Sequence, residues 1–182
     1  MEVTDYENLK VHPIFEPIKK LLEFYILGIA FVGQFEFQEV LLKNHPEFKP
    51  FINRYNAEVN LRREGLSVKS QTKTYMVGIG RTMAIAFFDI LQSSEYQNDL
   101  CEEYIFKFAK HIRNGAAHNN RFNIVPAIES EIHWRDKIIK NELNGTLVIP
   151  DFINPMMLIP LMSDISELIY EKHPMDNGDK SA

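Results

Sequence analysis

YIFKFAKHIRNGAAHNNRFN, residues 104–123, is the stretch of this chain that decides its fold class. Apolar side chains recur along it at Ile105, Ala109, Ile112 and Ala116, in steps of four, three and four residues. This spacing predicts an amphipathic α-helix that turns one face to a core. Gly115 marks either a bend inside this helix or a junction between two helices.

Helical spacing of apolar residues recurs over most of the chain. Pro46 predicts the end of the first helical region, because the residue before a proline is disfavoured in the helical conformation. Pro155 suits a first helical turn, whereas Pro160 would disrupt a helix interior, so the start of the last helix stays open. The predicted helices cover residues 17–43 (broken or bent near Gly28 or Gly33), 48–63, 70–91, 95–112 and 161–172.

Residues 128–150 have a different pattern. Asn144-Gly145 lies between two apolar runs, 138–139 and 147–149, and this arrangement is typical of a two-residue β-hairpin turn. A two-stranded ribbon is marginally stable alone, so it must lean on the helices. The predicted fold is therefore mainly α, with five or six helices and a small β-hairpin near 130–150.

Length and composition predict one soluble domain. The chain has 182 residues, 45% of them hydrophobic and 25% charged, which is enough to bury a core without cross-links. We expect the domain at 11–173, a flexible N-terminus at 1–10 and a disordered tail at 174–182. A single cysteine and the absence of a secretory pattern at the N-terminus indicate a cytoplasmic protein. The longest apolar run, 24–33, is too short to cross a bilayer, so no membrane association is expected.

Charge is distributed unevenly along the chain. The window from Tyr104 to Ile128 contains no Asp or Glu and carries a formal charge of +4, although the chain as a whole carries −5. The rest of the chain therefore carries −9. An acidic protein with one basic, acid-free segment is expected to bind an anion at that segment. The four cations of the window are Lys107, Lys110, Arg113 and Arg121.

On a continuous helix, Asn114, His118 and Arg121 share one face because they are spaced by four and three residues. His111 lies on the same stripe, and Arg113 reaches it from the flank. The stripe has many hydrogen-bond donors and no carboxylate, which predicts binding of phosphate or of a carboxylate from elsewhere. The predicted anion-binding residues are Lys110, His111, Asn119 and Arg121. The alternative is that the arginines are a solvated face and that His118 bonds a backbone group.

Arg113-Asn114-Gly115-Ala116-Ala117-His118 resembles the signature of the HEPN superfamily, in which an arginine and usually a polar residue precede a histidine. The continuation Arg121-Phe122-Asn123 is similar to the Abi-D/F type of abortive-infection protein in that superfamily. The resemblance implies a HEPN-like helical bundle. Asn120 stands where one HEPN subtype has a tyrosine, so a tyrosine-modification switch is not expected here.

The resemblance also implies a function: a metal-independent endoribonuclease in defence, as a toxin, or in the stress response. Two subunits would pair so that both motifs face one cleft, with Arg113, Asn114 and His118 as catalytic residues and RNA as substrate. A histidine is suited to acid–base chemistry near neutral pH, and an arginine to stabilising a charged phosphorus centre. A homodimer and an antitoxin protein or RNA are the implied partners.

Two other functions stay open at this point. The first is a HEPN-like scaffold that binds a nucleotide or a partner protein without catalysis; it needs Arg113 but not His118. The second is a helical interaction protein, because the apolar region 21–42 is suited to binding a partner or to forming a dimer face. No cofactor is expected. His111 and His118 are too far apart for a helical zinc pair, and no carboxylate lies near them in sequence.

Overall fold

The computed structural model describes residues 10–32, 34–65 and 71–174. The predicted flexible N-terminus and tail fall, apart from Lys10 and Pro174, outside these residues. Within them, seven α-helices and one two-stranded antiparallel sheet confirm a mainly helical fold with a small hairpin.

The seven helices follow the apolar spacing closely. The first predicted helix is divided into two, and Gly33, one of the two expected break points, lies outside the described residues. The predicted helix 95–112 is likewise divided into a short and a long helix. Pro160 is tolerated because it lies in the first turn of the last helix, where its missing amide has no partner to lose. The bounds are α1 Glu16–Val32, α2 Phe35–Asn44, α3 Lys49–Arg63, α4 Gln71–Ser93, α5 Gln97–Leu100, α6 Tyr104–Ala117 and α7 Leu158–Lys172.

The chain forms two compact units. The first contains residues up to Lys19 and those from Ile79 onward, and the second runs from Lys20 to Gly78. The prediction of a single domain over 11–173 stays a prediction, and the two units are described separately below.

The core of the first unit is built by α4, α6, α7 and the hairpin. Phe108 of α6 is fully buried, and its ring lies 5.1 Å from that of Trp134, which is itself 5% exposed. Phe87 of α4 meets Phe15 at 5.0 Å. The first contact packs α6 against the hairpin, and the second packs α4 against the residue that precedes α1.

The hairpin consists of β1 (Ile132–Trp134) and β2 (Lys137–Ile139), so its turn is formed by Arg135 and Asp136. The prediction that Asn144-Gly145 is the hairpin turn is wrong: these two residues form a turn outside the sheet. Arg135 bonds both carboxylate oxygens of Asp164 on α7, at 2.8 and 2.9 Å, and Trp134 donates to the same carboxylate. These tertiary bonds stabilise a turn that carries no local glycine signal.

Two polar side chains of the second unit, Gln38 and Glu58, are buried. Gln38 of α2 and Asn56 of α3 exchange two hydrogen bonds of 2.9 and 2.8 Å, and Gln38 is buried. The only apolar residue of α3 that is fully buried is Ile52. A pair of side-chain hydrogen bonds therefore joins α2 to α3.

One helix among the described residues meets the length and composition criteria for crossing a membrane: α4, over Thr74–Ser93, with a mean hydropathy of 1.3. A core helix of a soluble protein meets the same criteria. Met83, Phe87 and Leu91 of α4 are buried in the first unit, and 33% of the apolar window of α4 is buried as a whole.

Candidate anion site at the end of α6

The last turn of α6 and the residues after it bring the predicted site together. The helix ends at Ala117, and His118 is its C-cap, with its amide bonded to the carbonyl of Asn114 at 2.9 Å. Asn119 and Asn120 then adopt left-handed backbone conformations, with φ of 53° and 61°. Asparagine tolerates this conformation better than most residues, so the chain reverses here.

The prediction that Asn114, His118 and Arg121 share one helical face is therefore wrong. Arg121 lies beyond the helix, in an antiparallel bridge with Leu147. The apolar stripe ends at Ala116. The chain reverses direction soon after it, so helical spacing does not predict where the later polar side chains lie.

Asn120 explains why the chain reverses at this point. It is buried, its amide group donates to the carbonyl of Ile149, and its carbonyl oxygen accepts from the Ile149 amide at 3.0 Å. The side chain therefore acts as one more peptide unit between two chain segments. The backbone amide of Val148 also donates to the backbone carbonyl of Asn120 at 3.1 Å, so a backbone hydrogen bond joins the same two segments.

Two further asparagines continue this pattern. Asn144 accepts from the Ile124 amide at 2.9 Å, and Asn141 bonds both the amide and the carbonyl of Ile128. Together with Asn120 they join residues 120–128 to residues 141–149, and we call these three side chains the asparagine clamp. Asn144 thus belongs to the clamp and not to the hairpin turn.

Gly115 provides the room for this arrangement. A Cβ atom there would lie 2.4 Å from Cγ2 of Val148 and 3.3 Å from the carbonyl oxygen of Arg121. The returning chain therefore packs directly on the helix backbone. Gly115 is not a junction between two helices, because α6 continues through it to Ala117.

Arg113 has a carboxylate partner. Its Nε donates to Oδ1 of Asp89 on α4 at 3.0 Å, with both side chains partly exposed. Arg121 donates to the Gly145 carbonyl at 2.6 Å. Asp89 is close to Arg113 in space although it lies 24 residues away in sequence, so the acid-free window does not leave Arg113 without a carboxylate.

His118 itself is exposed at the end of α6. Asn114 and Arg113 lie half-buried in the last helical turn, Asn119 is exposed just after His118, and Lys110 is exposed one turn earlier. The structure thus gathers the predicted catalytic residues at one helix end, open to solvent. Exposure suits acid–base chemistry on a large substrate, because the imidazole is accessible.

Arg81 is a residue of this site that sequence reasoning missed. Its Nε donates to the Ala116 carbonyl at 2.8 Å from α4. The last carbonyls of a helix lack intrahelical partners and carry partial negative charge, so a cation stabilises them. Only the pairing of α4 with α6 reveals this role, since Arg81 lies far from the motif in sequence.

His111 lies one turn before the motif and is half-buried. Burial lowers its pKa, and Lys110 lowers it further. The folded state therefore takes up fewer protons than the unfolded state below about pH 6.5, so folding stability falls as the pH falls through that range. Burial also lowers the pKa of His12, with the same sign.

We expect chemical denaturation of the wild-type protein to show a lower unfolding free energy at pH 5.5 than at pH 7.5. In His111→Gln this loss should be smaller, with the remainder due to His12 and other groups. An unchanged pH dependence in His111→Gln would contradict the lowered pKa of His111.

No group of three or more His, Cys, Asp or Glu side chains in the described parts of the chain is arranged to hold a metal ion. No protein-family model, curated protein or solved structure matches this chain. The function must therefore be argued from the site itself.

Proposed function

We propose that this protein is a metal-independent endoribonuclease of the HEPN type, acting at the C-terminal end of α6. The observation that carries the proposal is the placement of Arg113 and Asn114 in the last turn of α6, with an exposed His118 immediately after it. The window from Tyr104 to Ile128 contributes four cations and no carboxylate of its own, and two of the cations, Lys107 and Arg113, pair with Glu102 and Asp89 outside it. A phosphodiester is the anion that this set of donors fits best.

His118 and Arg113 have separate roles in the proposed reaction. His118 removes the proton of a ribose 2′-hydroxyl, the 2′-oxygen bonds to phosphorus, and the bond from phosphorus to the 5′-oxygen breaks. A second His118, from another copy of the chain, protonates the departing 5′-oxygen. The products are a 2′,3′-cyclic phosphate and a 5′-hydroxyl. Arg113 stabilises the negative charge that builds up on the phosphoryl oxygens.

The contact between Arg113 and Asp89 is compatible with this role. It uses Nε of the guanidinium, and among the described residues no bond engages the two terminal amino groups. Asp89 therefore orients the guanidinium plane while its outer edge stays available to a phosphate, which binds arginine in a two-pronged manner. Both side chains of the pair are partly exposed, so water weakens the attraction between them. A phosphate can therefore compete with Asp89 for Arg113.

A second candidate function is a HEPN-like scaffold that binds a nucleotide or a partner without catalysis. The observation that favours it is the same ion pair, because Asp89 offsets part of the positive charge that a transition state needs. This candidate keeps the anion site but requires no chemistry from His118.

Incubation of the purified protein with single-stranded RNA and a metal chelator distinguishes the two functions. The endoribonuclease is expected to produce fragments with 2′,3′-cyclic phosphate ends, detected by mass spectrometry. Intact RNA combined with a thermal shift by nucleotides would favour the scaffold. A homodimer is part of the proposal, so cleavage should become less efficient at protein concentrations where the dimer dissociates.

A cytoplasmic role in defence, as a toxin or in the stress response is the biological setting that this activity suggests. The activity of such a ribonuclease would need to be inhibited in the cell. An antitoxin protein or RNA that covers the end of α6 would inhibit it. No membrane is part of the proposal.

A further inference from the structure

Arg81 of α4 places its guanidinium at the C-terminal end of α6. Its Nε donates to the backbone carbonyl of Ala116 at 2.8 Å, two residues before His118. The last carbonyls of a helix point out of its end and lack intrahelical partners. The guanidinium of Arg81 therefore lies off the same end of α6 that carries the exposed His118.

Close packing on both helices fixes this arrangement. A Cβ atom at Gly80, the residue before Arg81, would lie 2.7 Å from Cγ of Pro155. Val148 packs with similar closeness on the backbone of Gly115 in α6. The segment that joins Val148 to Pro155 therefore touches α4 and α6 beside the bond that Arg81 makes. Tertiary packing, and not a flexible surface, sets the position of this guanidinium.

The positive charge of Arg81 has no carboxylate partner. The sequence of α4 contains no Asp or Glu from Gln71 to Phe88. The segment that packs on Gly80 carries one acid, Asp151, which is exposed and forms no ion pair with Arg81. Among the described residues, the one hydrogen bond of the Arg81 side chain is that to Ala116. Because Arg81 is half-buried, its charge is partly removed from water, which is unfavourable unless an anion completes the site.

Arg81 and Arg113 are anchored in the same way. Each donates through Nε, Arg81 to the Ala116 carbonyl and Arg113 to Asp89. In the described part of the chain, no bond engages the terminal amino groups of either side chain. A guanidinium fixed in this manner keeps donors free for a phosphate, which it can bind through two hydrogen bonds. The bond from Arg81 also offsets the partial negative charge of the helix end, which would otherwise repel an anion.

We propose that Arg81 is a second phosphate-binding arginine of the RNA site at the end of α6. Arg81 and Asp89, the anchor of Arg113, lie eight residues apart on α4, or about 12 Å along the helix axis. This separation favours a different phosphate of the same strand for each arginine. The inference rests on the proposed function in taking RNA as the ligand, but it requires no cleavage.

The test measures binding of a short fluorescein-labelled single-stranded RNA by anisotropy, in a His118→Gln background so that the RNA stays intact. In Arg81→Gln the slope of log Kd against log salt should fall by about 0.7, which corresponds to one lost phosphate contact on a single strand. The same slope gives a rise in Kd of about fivefold near 0.1 M salt. A cation that only stabilises the end of α6 would change the unfolding midpoint and leave both binding values unchanged.

The matched control is Lys140→Gln, which also removes one cation from the first unit. Lys140 is exposed and shares its surface with Glu129, Glu131 and Glu142, so no phosphate is expected to bind there. Its Kd and salt slope should equal those of the parent. Equal RNA binding by Arg81→Gln and its parent overturns the inference.

A second measurement does not depend on the folding of Arg81→Gln. The NMR signal of the Arg81 Nε–H group in the parent, assigned by its absence from the Arg81→Lys spectrum, should shift when RNA is added. An unchanged signal at saturating RNA overturns the inference. If the wild-type protein binds RNA through Arg81 but never cleaves it, the proposed catalytic function fails and this inference stands. If the wild-type protein cleaves RNA and Arg81→Gln binds it as the parent does, this inference alone fails.

Discussion

Replacing His118 with glutamine is expected to lower the rate of RNA cleavage by about 10²- to 10⁴-fold, the usual contribution of a positioned acid–base group. Glutamine keeps a polar side chain at the end of α6 but cannot take up a proton near neutral pH. His118 is exposed and its backbone amide provides the bond to Asn114, so the fold should not depend on the imidazole. The measurement is the single-turnover rate, together with the unfolding midpoint.

The control for this variant is His133→Gln. His133 lies in the hairpin with a side chain that is 55% exposed, and it contacts Glu131 rather than the residues at the end of α6. Its replacement should leave both cleavage and stability unchanged. If His118→Gln cleaves RNA at the wild-type rate, the histidine has no catalytic role, and the activity belongs to other residues or to a contaminant.

A second large effect is expected from the asparagine clamp. Asn120→Ala should lower the free energy of unfolding by about 3 kcal/mol or more, because it leaves the buried amide and carbonyl of Ile149 without partners, at about 1–3 kcal/mol each. The left-handed conformation at Asn120 adds a further cost for alanine. Urea denaturation at neutral pH measures the change.

Asn119→Ala is the matched control for this second prediction. Asn119 has a similar left-handed backbone, with φ of 53°, but its side chain is exposed and makes no bond to another described residue. It therefore shares the backbone strain of Asn120 without the clamp. The clamp contributes little if the two variants are destabilised equally.

The asparagines illustrate how sequence and structure differ in what they reveal. Their poor helix propensity indicates that something other than a plain helix follows Ala116. The sequence offers binding as one explanation, and the structure adds another: Asn120 serves the fold, whereas Asn114 is half-buried and Asn119 is exposed. A side chain that substitutes for a peptide group has no signature in spacing, because its partner, Ile149, lies 29 residues away.

The sequence pattern also does not reveal the polar contact between α2 and α3. Apolar spacing places both helices correctly, but Gln38 pairs with Asn56 across 18 residues of sequence. The predicted apolar surface of region 21–42 appears in part as exposed Phe24, Phe35 and Val40. Which partner those side chains meet is a separate question from the fold.

At the end of α6, the sequence by itself determined the helix, its buried stripe and the presence of Arg113, Asn114 and His118 beside an acid-free basic window. These features follow from local periodicity and composition, and both can be read from the residues of one helix. Only the tertiary structure decided that the helix stops at Ala117, that Asp89 holds Arg113 and that Asn120 closes the chain reversal. Each of these depends on a contact between segments distant in sequence, and the free energy of such contacts is set by packing and not by local pattern.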